Sequence, residues 1–126
     1  MSFVKITRPR PQVALVTLDR PERMNAMAFD VMERRREALE ELSCDNSGRV
    51  VVLTGAGDGF CSGADLVDPG YLSIFDGLTM PGISRRAMKV LAEVVKSLRD
   101  MHQPVIAAIH GPAIGGGFCL AMATDI

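Results

Sequence analysis

From Pro104 the chain runs through an apolar stretch to Ile109, then through His110, Gly111 and Pro112 to a glycine triplet at 115–117, with Phe118 and Cys119 behind it. Such a run reads as a buried strand that passes through a glycine turn straight into a helix. Glycines leave the backbone bare where the helix begins, so unpaired N–H groups can face an incoming oxygen with no side chain in the way. The chemistry this offers is oxyanion binding. A second piece lies upstream, where the apolar run Val50–Leu53 empties into a loop that carries Gly55, Gly57, Gly59 and Gly63, followed by Ala64 and Asp65. Two strand ends, each continued by a bare loop, can converge on one group.

The elements that must position these loops are legible in outline. Residues 13–18 alternate as a strand closed by the Arg20-Pro21 turn signal, and residues 3–6 are expected to pair with it. From Met27 to Leu42 apolar residues at 28, 31, 32, 38, 39 and 42 form one helical face, interrupted by Arg35, for which snorkelling out to solvent is the favoured expectation and a place beside a polar pocket the alternative. Residues 49–54 form a second strand whose four successive apolar residues imply burial on both faces, as in a parallel sheet. The stretch 67–83, rich in glycine and proline yet carrying Tyr71, Leu72, Ile74 and Phe75, reads as a loop that walls a pocket. Ser84 is the expected N-cap of a helix whose apolar residues recur from Ala87 to Met101, and Pro104 stops it. Val50 and Val105 stand at nearly the same offset as Met27 and Ser84, which implies a repeated strand-and-helix unit.

Composition narrows the function classes. With 126 residues, 48% of them hydrophobic, the chain can bury one domain-sized core. A net charge of -1 gives no electrostatic reason to expect nucleic acid or an anionic membrane as partner, and Arg34-Arg35-Arg36 reads as a solvated helix face. Cys44, Cys61 and Cys119 have no metal-ligand spacing and leave one unpaired, so neither a metal site nor a disulfide framework is expected, and a cytoplasmic setting fits best. No apolar run is long enough for a membrane span. Two apparent motifs fail on inspection. The glycines at 55, 57 and 59 imitate a dinucleotide fingerprint, but Phe60 replaces the small residue that fingerprint needs. The Gly59–Gly63 stretch imitates a nucleophile elbow around Cys61, yet Pro69 and Gly70 break the helix an elbow requires.

The segment from Asp19 to Ala26, the loop from Gly55 to Leu66 and the glycine triplet together resemble the crotonase superfamily, the enoyl-CoA hydratases and isomerases, from about Val13 to Ile126. The resemblance implies an α/β fold, a crotonase-like spiral of repeated ββα units left incomplete at the C-terminus, with residues 1–126 forming the N-terminal part of a single crotonase-like domain. It implies an acyl-CoA thioester as substrate, coenzyme A entering as part of that substrate rather than as a cofactor, and assembly as a homotrimer or hexamer. Carried over residue by residue, the oxyanion hole is the backbone N–H of Ala64 with that of Gly116. Arg23, Met24, Cys61, Ser62 and Asp65 fall where the family grips the coenzyme A moiety; Arg23 is placed to reach a phosphate, with an exposed surface arginine as the alternative. At the position of the hydratases' first carboxylate stands Cys119, a thiol without a carboxylate's means of anchoring and activating water, which reads as pocket lining or core rather than as a nucleophile. His110 reads as packing, His102 as a helix C-terminal residue, and Asp125 as structural. The competing expectation is a noncatalytic acyl-CoA-binding or scaffolding piece. Apolar faces on the helix after Ser84 and on the Val105 strand are expected to need cover from further chain or from symmetry partners.

Overall fold

Alternation decides the sheet. In the computed structural model, which describes residues 3–126, strand β2 (Val13–Leu18) buries Ala14, Val16 and Leu18 while the residues between them are half covered. Strand β1 (Val4–Arg10) pairs antiparallel with β2, Val4 opposite Leu18. Strand β3 (Val50–Gly55) then runs parallel to β2, and β4 (Val105–Ala107) parallel to β3, giving a four-stranded sheet in the order β1-β2-β3-β4. Parallel neighbours need crossovers, and helices α1 (Phe29–Ser43) and α2 (Met80–Asp100) supply them. A short third helix, α3 (Gly116–Met122), follows β4.

Both long helices lie on one face of the sheet. Met32, Leu39 and Leu42 of α1 and Val90, Val94 and Leu98 of α2 close over Val16, Leu18 and Leu53. This corrects the expectation that β3 is buried on both faces: Val51 and Leu53 are buried, while Val50 and Val52 are half-exposed because no helix of the described residues covers their side. The apolar run came from β-branched strand preference as much as from burial.

Three local expectations also change. Helix α1 begins at Phe29 rather than Met27, because Met27 is held in a parallel bridge to Ala64, its N–H donating to the Gly63 carbonyl at 2.7 Å. Helix α2 begins at Met80 after Thr79, with Pro81 in its first turn, where a missing N–H costs nothing. Ser84 therefore sits inside the helix and caps nothing. Arg35 does not snorkel: it is 2% exposed, in the middle of the core, whereas Arg34 and Arg36 pair with Glu37, Glu33 and Glu40 on the solvent side. The arginine run is thus a solvated face at two of its three positions.

Below β4 the ends of α1 and α2 are tied by Gln103, whose Nε2 donates to the Leu42 carbonyl at 2.7 Å, capping a helix end that has no basic residue in its last turn. Asp125 holds β4 by accepting from Val105 N at 2.9 Å, which is the structural role expected of it. The helix pair depends most on its shared apolar seam. Leu98→Ala should lower the unfolding free energy by about 2–5 kcal/mol, read as a shift in the urea midpoint at unchanged m-value, because Leu98 is buried between both helices and the sheet.

Candidate active site at the paired glycine loops

The loop after β3 and the loop after β4 lie side by side. Cys61 bridges Ala113 in parallel fashion, Cys61 N donates to Pro112 O at 3.1 Å, and Ile114 N donates to Cys61 O at 3.0 Å. Contact continues toward α3, and here the glycines are required. A methyl on Gly63 would stand 2.7 Å from the Ile114 carbonyl and 3.3 Å from Gly116 N, and one on Gly117 would run into the Cys61 carbonyl and Cβ. Gly63 also has φ +92° and Gly115 φ +55°, values that side chains resist.

This approach brings Ala64 and Gly116 together. Ala64 N is bonded to the carbonyl carbon of Gly63, whose Cα is 3.9 Å from the position a Gly116 side chain would start from. Neither Ala64 N nor Gly116 N donates a backbone hydrogen bond among the described residues, although their neighbours do: Asp65 N bonds Met27 O and Gly117 N bonds Ile114 O. Ala64 is exposed and Gly116 half-exposed. Two N–H groups without an acceptor among the described residues therefore lie on loops in contact, Gly116 N at the start of α3. One turn along α3, Cys119 is exposed and stands three positions from Gly116, on the same helix face.

Beside Ala64 opens a cleft of about 310 Å³ lined by Glu22, Arg23, Ala26, Ser62, Asp65 and Leu66. Asp65 organises its floor. Its carboxylate accepts from Arg20 Nη1 at 3.0 Å, from Arg23 Nη2 at 2.5 Å and Nε at 3.1 Å, and from the backbone of Val67 and Asp68 at 3.0 and 2.9 Å. The Arg23 guanidinium above all, and then the Asp68 N–H, hold the Asp65 carboxyl far below the usual carboxylate range, and the same hydrogen bond raises Arg23. Arg23 thus spends two nitrogens on Asp65 and keeps Nη1 uncommitted among the described residues.

The other anticipated residues divide between inside and outside. Met24, at φ +50°, is partly exposed and lays its thioether across Gly59. Ser62 is half-buried and donates from its backbone to Met24 O at 3.0 Å. Cys61 is fully buried, its Sγ donating to Asn25 O at 3.3 Å, so only its backbone neighbours the cleft. Of the 67–83 segment, Phe75 packs edge-on to Phe29 at 5.1 Å and Leu72 joins the core, while Val67, Tyr71 and Ile74 are exposed and none of the segment lines the cleft. His110 is exposed and bonds the Gly57 carbonyl at 2.7 Å.

Two residues escaped the sequence reading. Asn25 is fully buried at φ +56°; its Oδ1 accepts from Arg20 N and its Nδ2 donates to the carbonyls of Ala56 and Gly59, fastening the loop after β2 to the loop after β3. Arg20 shares Asp65 with Arg23 and bonds Ala26 O. The signal for Asn25 was its type, since asparagine is among the few residues that accept the left-handed region and bond backbone on both sides.

A four-stranded sheet with helical crossovers between its parallel strands matches solved structures of the crotonase fold. The chain belongs to the enoyl-CoA hydratase/isomerase family, whose model matches residues 9–126. It is 56% identical over its full length to a protein of Mycobacterium tuberculosis named a probable enoyl-CoA hydratase, of which it covers 44%. Among solved structures it superposes on a probable enoyl-CoA hydratase/isomerase from Mycobacterium abscessus with TM-score 0.91 and 60% identity, covering 99% of this chain and 46% of that one. A monofunctional enoyl-CoA isomerase from M. smegmatis gives TM-score 0.78 and 52% identity over 100% of this chain and 49% of that one. The chain thus spans about half the length of the relatives it matches.

Two outcomes test the geometry of the site. Because the folded Asp65 carboxyl titrates below its unfolded value, it contributes stability that is complete above about pH 4 and is lost as pH falls through the folded value. Asp65→Asn should therefore lower the urea midpoint at neutral pH and flatten the loss of stability on acidification below about pH 4; equal acid slopes in both proteins would contradict the clamp. Gly117→Ala should cost roughly 1–3 kcal/mol from its collision with Cys61, measured in the same titration.

Proposed function

We propose that the complete protein acts on acyl-CoA thioesters by stabilising an enolate, with the thioester carbonyl oxygen seated between Ala64 N and Gly116 N. The adjacency of these two uncommitted donors carries the reading. As a proton leaves the carbon beside the thioester, negative charge collects on that oxygen, and fixed donors favour the charged form over the neutral ground state. Each donor contributes about 3 kcal/mol to lowering the barrier. The cleft at Arg23, Ser62 and Asp65 receives the coenzyme A portion, with Arg23 Nη1 free to meet a phosphate oxygen once Asp65 has fixed the rest of its guanidinium.

Within that chemistry the favoured reaction is a double-bond shift rather than hydration. Hydration needs water activated by carboxylates, but the position one turn into α3 holds the Cys119 thiol, and Asp65 is consumed by two arginines. A shift needs one general base, supplied from outside residues 3–126, to take a proton from the carbon beside the thioester and return it at the far end of the conjugated enolate, whereas hydration needs carboxylates that also activate a water. The name of the M. smegmatis relative, an enoyl-CoA isomerase, supports the same choice. A trimer or hexamer belongs to this proposal, and the exposed Phe118 and Met122 of α3 favour such packing.

Steady-state assays of the full-length polypeptide with 3-enoyl-CoA and 2-enoyl-CoA substrates separate the possibilities. Isomerisation should exceed hydration, and Cys119→Glu should raise hydration by about tenfold or more. Tight acyl-CoA binding without turnover of either substrate would instead make the protein a binding module.

A further inference from the structure

Arg35 is the largest fully buried side chain, and no carboxylate pairs with it among the described residues. Its Nη1 donates to the Asn25 carbonyl at 3.1 Å and stands 4.0 Å from Cys61 Sγ. Nε and Nη2 are buried with no acceptor among the described residues. Around the side chain Val16, Leu18, Leu53, Val94 and Leu98 line a void of about 10 Å³, at the lower limit for one water and without a second polar group to hold it. Burial lowers the guanidinium to a pKa of about 10, which still leaves it cationic at neutral pH. An apolar side chain would pack this helix position at less cost, since a buried charge without a counter-charge lowers stability.

Both atoms that Arg35 meets belong to the site. Asn25 fastens the Arg20–Ala26 turn to the loop after β3. Cys61 joins that loop to Pro112 and Ile114, and its carbonyl and Cβ press on Gly117 beside the second donor. The guanidinium therefore contacts, in Asn25 and Cys61, the two residues that join the loops carrying Ala64 N and Gly116 N.

We propose that Arg35 is a positioning residue for the donor pair: it fixes Asn25 and Cys61 from inside the core, and its uncompensated positive charge favours negative charge on an oxygen held between Ala64 N and Gly116 N. The inference rests on the oxyanion role proposed above. A charge in a region without water acts over a longer reach than one at the surface, and it needs no reorganisation when the enolate forms. The anion that would balance Arg35 arrives with the reaction, so its effect falls on turnover more than on substrate binding.

The test compares the full-length polypeptide with Arg35→Met, Arg35→Gln and Arg35→Lys, by steady-state kinetics on an enoyl-CoA and by amide NMR of protein labelled at alanine and glycine. The Met variant should unfold at or above the parent's midpoint, with kcat lower by roughly tenfold to a hundredfold and KM within about threefold. Its Ala64 and Gly116 amide resonances should move while that of Gly48, remote from the site, stays. The Lys variant, which keeps the charge, should recover at least half of the logarithmic loss in kcat. Should the Met variant fail to fold, the Gln variant, which keeps a donor for Asn25 O but not the charge, is held to the same measures. A folded neutral variant with kcat within about twofold of the parent and both amides unmoved would overturn the proposal. If the parent turns over no enoyl-CoA, the enolate reading falls, and the amide resonances, recorded without substrate, decide on Arg35 alone: movement supports its positioning role and constancy refutes it.

Discussion

Everything at the site depends on how closely two backbones approach. The 61–64 loop and the 113–117 loop meet at distances that admit no Cβ on Gly63 or Gly117, and a Cβ on Gly116 would meet Met27 Cε at 2.5 Å. This contact is what turns two separate strand ends into one pair of donors. It also explains why the N–H groups of Ala64 and Gly116 remain free: each sits at the edge of a bridge or helix start whose adjacent amides are already committed. Free amides elsewhere would simply be solvated. Under the function proposed above, donors held in such a fixed frame need no reorganisation when an anion forms.

A contact of this kind must be supported from beneath, and the support is polar. Asn25, Arg35 and Asp65 are buried, in a core built mostly of apolar side chains. Buried polar groups cost stability unless their partners are supplied, so they specify geometry where they are satisfied. Asn25 is satisfied on both sides of its amide, and Asp65 receives five donors. Arg35 alone keeps two donors idle. That imbalance sets it apart from Asn25 and Asp65, whose side-chain polar atoms are partnered.

The elements that follow a period were legible from residue types. β2 showed its alternation, β3 its apolar run, and α2 its helical spacing in the apolar residues from Ala87 onward. Boundaries set by tertiary contacts were not. Met27 has good reason to be helical by sequence, yet its bridge to Ala64 takes its N–H first. Ser84 is a better cap than Thr79 on paper, but Pro81 can enter a helix only in its first turn, and that fixes the start upstream. Arg35 could not be foreseen as buried, because its partners are a carbonyl and a thiol, Asn25 and Cys61, that carry no charge pattern in the sequence. Arg23 and Asp65 were picked out separately as ligand residues; that they bind one another is a long-range pairing no local pattern announces.

That pairing changes what the cleft can recognise. An arginine free to swing would meet any phosphate as a mobile point charge, at the entropic cost of ordering a long side chain. Asp65 removes that cost beforehand by taking Nε and Nη2, and it also cancels most of the charge. What remains at the cleft is a fixed donor in a nearly neutral setting, suited to orientation more than to raw affinity. Charge that does persist lies deeper, at the buried Arg35 beside Asn25 and Cys61. On the function proposed above, the two tasks are separated in space: neutralised groups where a ligand's remote part would rest, and an unbalanced cation near where negative charge would develop. Such a division favours charge that appears during a reaction over charge that a ligand brings with it.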